Sequence, residues 1–260
     1  MVLKSNKDGL SDALRRDLIR LLAAEDEFRA RLPDGRVLIL IRRGKELRSG
    51  FGGLLPGEMT DEALTILDSS DPLEIRPILP DRPLVLQPES DLRILPEAGI
   101  TTAVTLPLGV ALTTKGDHRP RTVREFGADA MSKTWFGGSD AGEAAYYRKA
   151  SLSVRSLPDE TGPWEAVCPL TVRNDSPEQL NFKRMILRVT MLSLFSNGKA
   201  TATNSVTVRF RGQTQVSQVT IGQGPEGLPR PFIELTEPRM PADKTLLRRS
   251  FDFIKTISAG

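Results

Sequence analysis

The strongest constraint on this chain is the turn at Asn197-Gly198 and what flanks it. Met185 to Phe195 is a run dominated by aliphatic residues, and Val206 to Arg211 alternates apolar and polar. Asn-Gly tolerates the positive φ angles of a type I′ turn, whose twist matches that of its strands. Period-two alternation then buries one face of each strand and wets the other. The pattern predicts a hairpin joining these two runs, within an antiparallel β system that extends from about Arg82 onward.

Earlier segments carry the same rhythm. Phe28, Ala30 and Leu32 alternate with Arg29 and Arg31, Pro33-Asp34-Gly35 makes a tight turn, and Val37 to Ile41 returns as a second hairpin. Leu73 to Ile75, Leu84 to Leu86, Leu92 to Leu95, Thr102 to Leu106 and Val110 to Leu112 read as short strands, with prolines near their ends. Three segments read as helices. Ser11-Asp12 caps one whose Leu14, Leu18, Leu21 and Leu22 share a face and which fades near Ala24-Glu25. Thr60 to Leu67 is a short capped helix. From Ala242 onward, Leu247, Phe251, Ile254 and Ile257 line one side of the last.

The expected fold is therefore mainly β, with one or two antiparallel β-sandwich units of immunoglobulin-like kind and a short helix near each terminus. Residues 1–33 hold the N-terminal helix and the first strand of a hairpin, 34–125 a first β block, 126–241 a second, and 242–260 the C-terminal helix. Two stretches, Pro83 to Leu108 and Pro169 to Leu194, share a rhythm that suggests a weak internal duplication.

Composition narrows the functional classes. A length of 260 residues suits one large domain or two of about 100–130 each. A net charge of +3, with a pI of about 9.1, is too small an excess to argue nucleic-acid binding. Cys168 is the only cysteine, so no intrachain disulfide can form, and its strand context predicts a buried core residue. Met1 to Asp8 lacks the apolar core of a signal peptide, and no window approaches the roughly 18 apolar residues of a membrane helix. A soluble cytoplasmic protein is expected.

No catalytic constellation stands out. His118, the only histidine, lies in a polar turn and cannot supply a multi-histidine metal site. Gly50-Phe51-Gly52-Gly53 and Gly137 to Gly142 lack the strand, helix and Lys-Ser/Thr pair of a phosphate loop, and read as turns. No metal ligand or cofactor is assigned.

Two groups of residues are candidates for binding. Trp135, Tyr146 and Tyr147 form the densest aromatic cluster, either a stacking platform for a sugar or base or a plug at one end of a sandwich. Leu247, Phe251 and Ile254 would dock on the protein's own sheet, on a protein partner, on a second copy, or on a membrane surface. The leading expectation is a non-catalytic interaction or accessory protein, and the alternative is a carbohydrate or small-ligand module using the aromatic cluster. A hydrolase built on dispersed carboxylates ranks last, because carbohydrate-active β folds carry more aromatics than the 5% found here.

Trp135-Phe136-Gly137, Gly142, Tyr146-Tyr147, the strand end Val172-Arg173-Asn174 and the long run from Met185 resemble an uncharacterised prokaryotic family, the domain of unknown function four hundred and thirty-two. The resemblance covers most of the chain after about Arg36. It implies a β-rich soluble protein and carries no established activity, cofactor or catalytic residue. It also points to a membrane protein as one partner to expect, since such genes can neighbour those of mechanosensitive channels.

Overall fold

The computed structural model describes residues 20–52, 59–114, 121–127, 131–137, 142–150, 160–212, 217–228 and 231–242. In chain order, β1 (Arg20–Leu22), β2 (Glu27–Arg31), β3 (Val37–Arg43), β4 (Glu46–Gly52), β5 (Met59–Ile66) and β6 (Leu73–Ile78) come first. Next are β7 (Leu84–Pro88), β8 (Leu92–Ile94), β9 (Gly99–Pro107), β10 (Gly109–Thr114), β11 (Arg121–Phe126), β12 (Ser132–Phe136) and β13 (Glu143–Ala150). Then follow β14 (Glu165–Asn174), β15 (Leu180–Phe182), β16 (Met185–Leu187), β17 (Leu194–Ser196) and β18 (Thr201–Thr203). Last are β19 (Val206–Phe210), β20 (Gln218–Ile221) and β21 (Ile233–Thr236). The protein is mainly β, and among the described residues the only helical element is a 3-10 turn at Val189–Met191. No helix among those residues is long and apolar enough to cross a membrane.

The chain divides into two compact units, each drawn from separated stretches. Residues 1–78, 107–130 and 162–164 make the first, and 79–106, 131–161 and 165–260 the second.

The first unit holds two antiparallel sheets, β1-β6-β10-β11 and β2-β3-β4-β5. The expected hairpin at Pro33-Asp34-Gly35 is present as β2 and β3. Leu32 N–H donates to Arg36 O at 2.8 Å, and Gly35 takes a φ of 89°, a region that costs glycine little. Because Phe28 pairs with Leu40 and Ala30 with Leu38, these four share the buried face. They join Leu47 and Phe51 from the same sheet, and Leu73, Ile75, Val110, Leu112 and Phe126 from the other, in one apolar cluster. Each of the leucine, isoleucine, valine and phenylalanine side chains contributes about 1.5–3 kcal/mol by burial. Phe51 and Phe126 meet edge to face at 5.8 Å, and the indole N–H of Trp164 donates to Arg31 O at 2.9 Å. Arg42 follows Leu38 and Leu40 on the same inward face and is 0% exposed. Its guanidinium donates to the carbonyls of Leu22 (3.1 Å), Gly44 (3.2 Å) and Ser69 (3.4 Å).

One expected helix and the described end of another are corrected to strands. Arg20–Leu22, read as the last turn of an N-terminal helix, is β1 and pairs with β6. Leu22 is fully buried while Leu21 is half exposed, which is strand alternation rather than a helical stripe. Thr60 to Leu67 lies almost wholly in β5, with Thr65 opposite Leu47 and Ile66 opposite Glu46. Pairing with β4 overrides the weak helical preference of Glu62-Ala63-Leu64. Residues 1–19 and the C-terminal helix expected over 242–260, save Ala242, lie outside the described residues.

In the second unit the Asn197-Gly198 turn does join antiparallel strands, but they are β17 and β18. Of the pair only Gly198 has a positive φ, 83°, so the turn is not type I′. Asn197 Oδ1 accepts from the N–H groups of Lys199 (2.9 Å) and Ala200 (2.8 Å), closing a four-residue loop between Ser196 and Thr201. The run from Met185 is broken by the 3-10 turn, and β19 pairs in parallel with β14 instead of returning along β17. Asn204 ends the hairpin: its side chain accepts from Ser193 N–H at 2.7 Å and donates to Gly222 O at 2.9 Å. Strand β14 meets β18 at Val167 and β19 from Leu170. Pro169 falls in the gap between, where its missing N–H breaks no ladder bond.

The two stretches of shared rhythm pair with each other: β7 with β16, β8 with β15, and β9 with β14. The central strands β7 and β14 each take a parallel neighbour, β13 and β19, which in turn pairs with β12 or β20. One four-strand pattern thus occurs twice in the unit. At the end of β14, the side chain of Asn174 is 0% exposed. Its amide donates to Ile94 O (3.0 Å) and Glu178 O (2.7 Å), while its oxygen accepts from Ser176 N–H (3.1 Å) and hydroxyl (2.7 Å).

Candidate functional site

Strands β12 and β13 carry the aromatic cluster, and their register divides it. Trp135 lies opposite Ala144 and Lys133 opposite Tyr146, so Trp135 and Tyr146 share one face of the pair. Tyr147 lies opposite Ser132 on the other face, as adjacent strand residues must. The three residues therefore do not form one platform. Phe136, next to Trp135, turns inward and is buried.

Both tyrosine hydroxyls have protein partners. Tyr146 donates to Asp81 Oδ1 at 2.9 Å, and Tyr147 to Gln87 Oε1 at 3.0 Å. Burial, followed by the hydrogen bond and charge of Asp81, pushes the Tyr146 phenol above its usual pKa, opposed by Arg82 and Arg239. The Arg82 guanidinium lies 5.8 Å from the Tyr146 ring centre, and Arg239 is held by Leu79 O at 2.9 and 3.0 Å. Glu143 on β13 makes a two-pronged ion pair with Arg188 at 2.6 and 2.7 Å, which fixes β13 against the end of β16. Trp135 itself is 51% exposed.

Cys168 is fully buried, and burial pushes its thiol up to about 12, so it stays protonated and is a poor nucleophile at neutral pH. Leu247, Phe251 and Ile254 lie outside the described residues, as does His118. Among the described residues no group of three His, Cys, Asp or Glu side chains could hold a metal ion.

A second candidate surface was missed because Thr60 to Leu67 read as a helix. Among the described residues strand β5 is the last in its sheet, and Leu64 and Ile66 on its outer face are 60% and 66% exposed. The alternation Leu64-Thr65-Ile66, with its β-branched end, was the signal that could have found it. The first half of β5 is tied down. The register with β4 shifts between Ser49 and Phe51, Asp61 takes a φ of 52°, and the strand closes over Gly50. A Cβ at Gly50 would lie 2.9 Å from Thr60 O. Arg124 locks this bulge, donating to Asp61 O and Oδ2 (3.1 Å each), Ser49 O (3.0 Å) and Ser49 Oγ (2.9 Å).

The family model described as "Protein of unknown function (DUF432)" matches residues 24–255. No curated protein and no solved structure matches the chain. The chain belongs to the DUF432 family.

Proposed function

We propose that this member of the DUF432 family is a non-catalytic accessory protein that acts by binding another protein. The observation that carries the reading is the exposed aliphatic pair Leu64 and Ile66 at the edge of an otherwise ordered sheet. Apolar side chains this exposed on a strand edge favour association. The groups best suited to chemistry are spoken for: the Cys168 thiol is buried and protonated, and Tyr146 and Tyr147 spend their hydroxyls on Asp81 and Gln87. In this reading the two sheets that share the first unit's core form an immunoglobulin-like sandwich. The protein works in the cytoplasm, on the cytoplasmic portion of a membrane protein.

The test is affinity capture on the full chain from an extract and solubilised membranes of the native organism, quantified against an unrelated β protein. A specifically enriched partner is expected at physiological salt. If nothing is enriched across repeated captures, the reading falls.

A second reading, a small-ligand module, is favoured by the half-exposed Trp135 beside Tyr146 and Lys133 on one face. The only other tryptophan, Trp164, is buried. Saturable quenching of tryptophan fluorescence by a glycan, lost in Trp135→Ala, would establish this reading in place of the first.

A further inference from the structure

The sheet β2-β3-β4-β5 has two edges, and they are finished differently. Along β2 the outward side chains are Glu27, Arg29 and Arg31, all charged and exposed, with Glu27 and Arg29 paired to each other. Charges along an edge repel an added strand, because docking would desolvate them. The first half of β5 is protected by its bulge at Asp61 and by Arg124. Its second half, Ala63 to Ile66, has neither device. It runs in regular register with β4, carries no lysine, arginine or proline, and shows Leu64 and Ile66 to solvent. Among the described residues, β5 pairs on one side only.

We infer that the second half of β5 is a docking edge, which accepts an extended, basic segment of another protein as a fifth, antiparallel strand. This rests on the accessory-protein reading and specifies how the partner binds. Backbone N–H and C=O groups along an open edge are complemented by another strand, and alternate apolar side chains supply the specificity. The charge of the occupant follows from the sequence. From Met59 to Asp71 the chain carries Asp61, Glu62, Asp68 and Asp71 and no basic residue. Asp61 is paired to Arg124 and Glu62 to Arg48, whereas Asp68 is exposed beyond the open end. A second copy is a poor occupant. Antiparallel pairing of two copies about Thr65, which would bring Leu64 against Ile66, also sets Glu62 of one copy opposite Asp68 of the other. A strand with apolar residues at alternate positions and lysine or arginine at its ends meets both demands.

The probe is a capped, fluorescein-labelled peptide of alternating valine and threonine with a lysine at each end, titrated against the full chain by anisotropy. Saturable binding is expected, with amide exchange newly slowed at Leu64 and Ile66, whose N–H groups face away from β4. Affinity should fall about tenfold or more in Leu64→Lys/Ile66→Lys, which alters only exposed side chains. The same peptide ending in glutamates should bind more weakly. The inference is overturned by no saturable binding, or by binding that the double variant leaves unchanged. It is also overturned if the N–H groups of Leu64 and Ile66, which face away from β4, are protected before peptide is added, since the chain itself then fills the edge. A dimer in sedimentation that the double variant dissolves would assign the edge to a second copy instead. Partner capture by wild type and double variant separates the two levels. A partner retained equally by both keeps the accessory reading and removes β5 from it, and no partner retained removes the accessory reading itself.

Discussion

Arg42 in the first unit and Asn174 in the second are both fully buried polar side chains, yet they differ in what burial costs them. Asn174 is neutral and makes all four hydrogen bonds that an amide can make. It joins β8, the end of β14 and the following turn without any charge to desolvate. Arg42 ties β1, the β3–β4 turn and Ser69 through three carbonyls, but brings a charge into the core. Burial lowers its pKa, with Asp71 acting in the opposite sense. A satisfied neutral group is therefore an efficient crosslink, and a buried cation recovers only part of its bonding energy.

Substitutions can break or sharpen that contrast, and the two tryptophans allow the units to be followed separately. Trp164 belongs to the first unit and Trp135 to the second, so single-tryptophan variants report each in denaturant unfolding. The largest loss, about 3 kcal/mol or more in the second unit, is expected for Asn174→Leu, which removes the side-chain partners of Ile94 O and the Ser176 N–H and leaves Glu178 O only the Ser176 hydroxyl. Arg42→Met should cost about 1–2 kcal/mol in the first unit, because three carbonyls lose their donor while the cost of burying the charge is recovered. Arg42→Lys keeps the charge and loses the fork geometry, and so should cost more than methionine. The opposite order would break the contrast.

Cys168 extends the comparison to a buried group that remains neutral in the fold but ionises when unfolded. Its folded pKa, about 12, lies above the ordinary thiol value of 9.0. Its contribution is therefore complete below pH 9 and is lost progressively as pH rises toward 12. Wild type should lose stability relative to Cys168→Ala, on the order of 1 kcal/mol, on moving from neutral pH to pH 10. Parallel stability profiles of the two proteins would show the thiol to be accessible. The smallest effect belongs to the half-exposed Trp135. Trp135→Ala should change the second unit's stability by less than about 0.5 kcal/mol, read by circular dichroism.

The local sequence determined much of this protein. Alternation in Phe28 to Leu32 and Val37 to Ile41, with Pro33-Asp34-Gly35 between them, specified β2, β3 and their turn, because face and turn are short-range properties. The same alternation puts Arg42 on the face of Leu38 and Leu40, a signal that an arginine's usual exposure conceals. The motifs around Trp135 and Tyr146-Tyr147 were enough to place the chain in its family. They were not enough to say that neighbouring tyrosines would point to opposite faces and be used by Asp81 and Gln87. Only the tertiary structure decided which strand lies beside which. The run from Met185 is split by a 3-10 turn, β19 finds β14 in parallel, and Arg20–Leu22 and Met59–Ile66 become strands because β6 and β4 offer them partners. Side-chain periodicity is written into a few consecutive residues. A strand's partner is chosen by hydrogen bonds and burial that distant residues supply, and the open half of β5 exists only because no described strand was chosen for it.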